Sequence, residues 1–208
     1  MAKVPEKKRQ VRAGGRSARV VSSVLRAASR ELARVGYAAF RIEDVAERAG
    51  VAKTTVYRRW PTKIELVGAV IRGMRNLESV TPDTGSLRGD IRALYGRIID
   101  MYASPEHRAV ARALMSEGED PEVAALTRRV RAEFFGPWRQ VFDRGIARHE
   151  LPASVDPVVL REVLFAPVAM RLVRTREPVD DAYLDAVLDL VLGGVRTSVR
   201  GKLGRKTA

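Results

Sequence analysis

The sequence predicts an all-α protein, with an N-terminal three-helix helix-turn-helix unit ahead of a larger helical bundle and about nine helices in total. Three observations carry this. Apolar residues recur at helical spacing through most of the chain, and no stretch shows the strict alternation of a half-buried strand. Gly, Pro and capping residues interrupt that period at helix-length intervals. Residues 43–60, Glu-Asp-Val-Ala-Glu-Arg-Ala-Gly-Val-Ala-Lys-Thr-Thr-Val-Tyr-Arg-Arg-Trp, read as two short helices around a tight turn.

Taken in order, residues 1–16 carry Lys3, Lys7, Lys8, Arg9, Arg12 and Arg16 without an apolar period. They read as a disordered basic arm, either solubilising or tracking phosphates. A first helix over 17–35 places Val21, Val24, Leu25, Ala28 and Leu32 on one face, and Arg19, Arg26, Arg30 and Arg34 on the opposite, solvated face; Gly36 stops it. After the helix-turn-helix, a fourth helix starts at Pro61-Thr62, where the missing proline N–H costs nothing, and runs to about Ser79. Thr81-Pro82-Asp83-Thr84-Gly85 breaks the chain. Ser86 caps a helix over 87–102, and Pro105 opens another to about Met115. A long helix over 121–149 is disturbed at Gly136-Pro137, and helices over 157–174 and 180–198 close the chain. The expected organisation is an arm (1–16), a helix-turn-helix unit (17–66), a larger helical bundle (67–198) and a basic tail (199–208).

Within the helix-turn-helix, Val45, Ala46 and Ala49 line the first helix, and Gly50 suits the left-handed conformation that ends a helix sharply. Val56 and Trp60 read as core, which leaves Lys53, Thr54, Thr55, Tyr57, Arg58 and Arg59 to solvent. These are donors and cations, the groups that phosphates and base edges accept. Arg58 is the best candidate for a base edge, because arginine grips guanine with two hydrogen bonds. Thr55 and Tyr57 suit phosphate or base contact, and Arg59 suits either; the alternative is a set of solvated helix cations. Residues 36–67 as a whole, with aromatic Trp60, the helix start at Pro61-Thr62 and Lys63 two residues after the proline, resemble the DNA-binding domain of TetR-family transcriptional regulators. The strong resemblance covers about residues 17–66. It implies that Lys63 binds phosphate, helped by the amides at its helix start. Arg41 departs from the family pattern, where many members carry a small hydroxyl residue that touches phosphate; an arginine reaches the same group from further away.

Net charge is +13, and its distribution matters more than its size. Residues 1–70 hold 16 Lys/Arg against 6 Asp/Glu, whereas residues 71–195 hold 17 against 19. A polyanionic partner is therefore expected for the first third only. There is no cysteine, which excludes a disulfide framework or thiol nucleophile and fits a cytoplasmic protein. No apolar run approaches a membrane span, and the basic N-terminus lacks the apolar stretch of a secretory signal, so no membrane role is expected. No enzyme is expected either. His107 and His149 are isolated, no phosphate-binding glycine loop or nucleophile elbow occurs, and Glu117, Glu119 and Asp120 are explained by a turn and a helix cap. No metal or cofactor is implied.

In the bundle, Met101, Tyr102, Met115, Phe134, Trp138, Phe165 and Met170 form a large, adaptable, partly aromatic set. Each alone reads as ordinary core. Together with Pro137 and Pro167 inside helical patterns, and with the family resemblance, they point to a pocket for a small, mostly apolar effector. Tyr183, Leu184, Val187, Leu188, Val191 and Leu192 offer more apolar surface than one bundle face needs; the resemblance implies a four-helix dimer contact there, and the alternative is burial within one subunit. The resemblance thus implies a homodimer on double-stranded DNA at a palindromic operator, most often a repressor, whose effector lowers DNA affinity by changing the separation of its two reading heads. A nonspecific or architectural DNA-binding protein is the alternative.

Overall fold

Short polar side chains and prolines set most helix starts, and a computed structural model, which describes residues 15–74 and 80–204, shows how. Its elements are α1 (Gly15–Val35), α2 (Ile42–Ala49), α3 (Lys53–Tyr57), α4 (Lys63–Met74), α5 (Leu87–Ala103), α6 (Pro105–Ser116), α7 (Pro121–Glu133), α8 (Gly136–Ala147), α9 (Pro157–Ala169), a π-helical turn (Met170–Thr175) and α10 (Asp181–Gly204). No strand occurs among the described residues. Ser86, Ser104, Asp120 and Asp156 each accept amide hydrogens from the first turn of α5, α6, α7 and α9. Each such cap is worth about 1 kcal/mol. Thr62 and Glu65 form a reciprocal capping box at α4, each side chain accepting the other's amide hydrogen at 3.3 Å.

Three boundaries differ from expectation. The 121–149 helix is two helices, so the described residues hold ten α-helices, against about nine expected. The reason is local. Pro137 has no N–H for the carbonyl four residues back, and its ring crowds that carbonyl, so the helix stops and restarts with Pro137 in the first turn of α8. The 157–174 helix keeps Pro167 inside α9 but widens into the π turn beyond it, and Arg176 ends that turn at φ 61°. α10 continues to Gly204, beyond the expected stop at 198. The expected end of the fourth helix at Ser79 falls outside the described residues, as do most of the basic arm and the last four residues of the tail.

Two cores hold the molecule. The first joins Val24, Ala28 and Leu32 of α1 with Val45, Val56, Leu66, Val67 and Val70. It does not stop at the helix-turn-helix: Val110 of α6, Val123, Leu126 and Val130 of α7, and Phe134 belong to the same cluster. The second joins Leu87, Ile91 and Tyr95 of α5, Trp138, Val141 and Phe142 of α8, Leu160 and Leu164 of α9, and Leu184, Leu188 and Leu192 of α10. Burying each Val, Leu, Ile or Phe side chain among these stabilises the fold by about 1.5–3 kcal/mol.

Candidate nucleic-acid interface

The turn between α2 and α3 is made by Gly50 at φ 67°, a left-handed conformation that favours glycine. Its amide bonds back to the Glu47 carbonyl, and Val51 N–H to the Ala46 carbonyl, both at 3.0 Å. Val45 and Val56 are fully buried, so α3 is pinned by one face. Lys53, Thr54, Tyr57, Arg58 and Arg59 are exposed on the rest of its surface, Thr55 is half-buried, and Arg41 is exposed at the start of α2. Seven positions of the expected set are therefore exposed or half-buried polar groups.

Partners refine their roles. The Tyr57 hydroxyl donates to Glu43 at 2.7 Å, and Arg41 approaches the same carboxylate at 3.9 Å. The bond to Tyr57 holds the Glu43 carboxyl below its ordinary value, and it pushes the Tyr57 phenol up. Glu43 lies in the first turn of α2. It also fixes the tyrosine beside the candidate contact residues. Arg59 reaches the Ser17 hydroxyl at 3.4 Å, tying the end of the α3 segment to α1. Lys63 is half-buried rather than free. Its ammonium donates to the Ala38 carbonyl at 3.1 Å and sits 4.0 Å from the centre of the Tyr37 ring. An ammonium has three donors, so a phosphate can still be accepted, from a group already held in place.

Sequence reasoning missed one carboxylate and one junction. Glu31 is almost wholly buried and takes Arg34 at 2.6 Å and Arg48 at 2.8 Å, joining α1 to α2. The Arg34 bond outweighs burial and lowers its carboxyl value. Arg34, on the face expected to be solvated, is thus engaged in an internal ion pair. At the junction, the Tyr37 phenol donates to Glu122 at 2.8 Å and Ala38 N–H donates to Glu117 at 3.0 Å. Burial and the Glu122 bond raise the Tyr37 phenol. Asp120 caps α7 as expected, but the neighbouring acids also clasp the α1–α2 corner.

The N-terminal segment 24–70 matches the model of bacterial regulatory proteins of the tetR family, and residues 81–191 match the tetracyclin repressor-like C-terminal domain. The chain belongs to the TetR family of transcriptional regulators. It is 30% identical over 175 residues to the DNA-binding transcriptional repressor TetR of Mycobacteroides abscessus, covering 82% of this chain and 90% of that one. It is 28% identical over 181 residues to the HTH-type transcriptional regulator YdeS of Bacillus subtilis, covering 85% and 90%. Among solved structures, the TetR-family transcription regulator SCO0332 superposes with a TM-score of 0.62 at 27% identity, covering 85% of this chain and 98% of that one.

TetR-family regulators dimerise, and the residues expected to supply a surface for a second copy are mostly used internally. Leu184, Val187, Leu188 and Leu192 are buried in their own subunit, with Tyr183 and Val191 half-buried against the same core. Leu184, Leu188 and Leu192 share the second core with residues of α5, α8 and α9, and α10 packs chiefly along α9. The apolar residues left to solvent are others: Val158, Val159, Val163 and Met170 are each about half exposed, and Leu190 is 78% exposed.

The expected pocket set is likewise dispersed. Phe134 belongs to the first core and Trp138 to the second, where it meets the Tyr95 ring edge-on at 6.0 Å and Phe142 at 5.9 Å. Tyr102 is buried; Met101 and Phe165 are half-buried, the latter under the Arg161 guanidinium at 5.0 Å. Met115 and Met170 lie largely in solvent at 59% and 49% exposure, so neither lines a closed cavity. Two charged residues, Asp90 and Arg161, are buried within the bundle. Asp90 is fixed by the Thr84 amide at 2.6 Å and by Arg148 at 3.3 Å, and these contacts lower its carboxyl value although burial, the largest influence, opposes them. No described helix is long and apolar enough to cross a membrane.

Proposed function

We propose that this chain is a cytoplasmic, non-enzymatic regulator that binds a palindromic operator as a homodimer and in most settings represses. Arg41, Lys53, Thr54, Thr55, Tyr57, Arg58, Arg59 and Lys63 make its DNA contacts. One observation carries the reading: α3 is anchored by fully buried Val56 while Lys53, Thr54, Arg58 and Arg59 stand exposed beside it. Arg58 reads a base edge, and Arg41, Arg59 and Lys63 hold phosphates. Residues 17–66 form the reading head, and residues 67–198 carry assembly and effector response.

The second copy covers the exposed stripe of the last two helices. On α9, Val159, Val163 and Ala166 follow one another at helical spacing and are all exposed; on α10, Ala186, Leu190 and Gly194 do the same. Small residues around one protruding leucine suit close two-fold packing of helices. A dimer built there presents two α3 segments to successive major grooves, about 34–36 Å apart. A small apolar effector enters the bundle beside Tyr102, Trp138 and Phe165, where Pro167 and the π turn make α9 irregular.

Selection of bound duplexes from a random pool tests the central reading. A single two-fold symmetric consensus is the expected result. Enrichment of DNA without any consensus would replace it with the architectural reading.

A further inference from the structure

A cleft of about 450 Å³ opens where α4 runs beside α7, away from the aromatic residues of the bundle. Trp60, Ile64 and Ala69 form one wall, and Ala125 faces them from α7. At its floor the helices meet closely: a Cβ on Gly68 would lie 3.1 Å from Leu126 Cδ1. Such a volume suits a small organic molecule.

The rim is charged, and most of its carboxylates are engaged. Glu122 accepts the Tyr37 phenol, Glu65 caps its own helix through Thr62, and Arg72 is paired twice with Glu133, at 2.8 and 2.9 Å. Arg59 and Arg129 also line the cleft; Arg59 donates to the Ser17 hydroxyl and lies 5.9 Å from the Trp60 ring centre, Arg129 acts on Glu133 through charge, and neither forms an ion pair within 4.0 Å among the described residues. An apolar wall with two guanidiniums at its edge selects an apolar body bearing an acid group.

We propose that this cleft binds a small organic anion, its flat or elongated apolar body against Trp60 and Ile64 and its acid group on Arg59 and Arg129. The site is separate from the effector position in the bundle. It also has its own route to regulation, because Arg59 belongs to the proposed DNA face. A bound carboxylate neutralises that guanidinium and adds negative charge next to the phosphates. DNA and the anion therefore oppose one another, and by linkage each weakens the other equally.

Calorimetric titration of the full-length, DNA-free protein with 2-naphthoate tests the site without reference to any operator. Arg129→Glu reverses a rim charge, and Ala125→Trp fills the cleft; both positions are exposed, and thermal melts establish that the variants are folded. Saturable binding of one naphthoate per chain is expected, with neutral 2-naphthamide at least about tenfold weaker and each variant weaker by about tenfold or more. Absence of binding to the parent, or equal binding to parent and both variants, would overturn the assignment. A failed operator selection with intact, variant-sensitive naphthoate binding would instead count against the proposed function alone.

Discussion

Glu31 and Arg58 mark two opposite uses of charge in the N-terminal unit. Glu31 is a nearly inaccessible carboxylate between two half-exposed arginines, so it locks α1 to α2. Removing one partner of a wholly buried pair costs about 3–5 kcal/mol. Here solvent reaches both arginines, and Glu31→Gln is expected to cost about 2 kcal/mol at pH 7. The pH dependence follows from the sign of the shift. A carboxyl whose folded value lies below its ordinary 4.5 contributes stability that is present above that value and lost as pH falls through the folded one. Urea unfolding should therefore separate parent and variant most at neutral pH, with the gap closing below about pH 4. Arg58 makes no such internal lock: it is exposed on the α3 surface. Arg58→Ala should weaken operator binding by about 1–3 kcal/mol per half-site and relax preference at one base position. A mobility-shift series over single-base operator variants reads both effects, and unchanged preference would remove Arg58 from base recognition. Residue types and spacing made the exposure of Arg58 legible in the sequence. They could not reveal Glu31, because only the packing of α2 on α1 turns a helical glutamate inward.

At the scale of elements, helix existence was legible almost throughout, since caps and apolar period are local properties. The facing of α10 was not. Its sequence carries apolar residues on more than one side, and period alone does not say which side meets α5, α8 and α9 and which meets solvent. The fold settles this for the subunit: Leu188 is fully buried and Leu190 protrudes. Two substitutions two residues apart should consequently fail in different ways. Leu188→Ala removes a core side chain and should lower stability by about 2–5 kcal/mol. Leu190→Glu, alone or with Val163→Glu, should leave the melting temperature of the monomer's fold nearly intact and convert dimer to monomer. Sedimentation equilibrium together with thermal melts distinguishes the two. A Leu190→Glu, Val163→Glu protein that stays dimeric would move the interface off this stripe.

For the whole molecule, the proposed functional division near residue 66 and the physical division of the cores do not coincide. The charge step between residues 1–70 and 71–195 made the reading head visible in the sequence, because charge composition needs no knowledge of contacts. The shared core was invisible for the converse reason: Val110, Val123, Leu126, Val130 and Phe134 join α1 and α4 only through contacts distant in sequence. Three polar ties reinforce the junction, from Tyr37 to Glu122, Ala38 to Glu117 and Arg72 to Glu133. The reading head is thus built onto the bundle, and motion of α6 or α7 reaches α2 and α3 through side chains rather than through α4 alone. A fragment of residues 1–79 exposes this dependence. It loses the five apolar partners and uncovers parts of Leu66, Val67 and Val70, each worth about 1.5–3 kcal/mol when fully buried. Even half uncovered, together they remove several kcal/mol, against a total stability of only about 5–15 kcal/mol for a typical protein. The isolated fragment should therefore retain helical circular dichroism without a cooperative melt, and its amide proton spectrum should show poor dispersion. Because Val56 is held by the same core, the fragment should also bind DNA without the sequence preference of the full chain. A sharply melting, well-dispersed 1–79 fragment that selects the full-length operator would show that the head is autonomous and that the contacts with α6 and α7 contribute little to its fold.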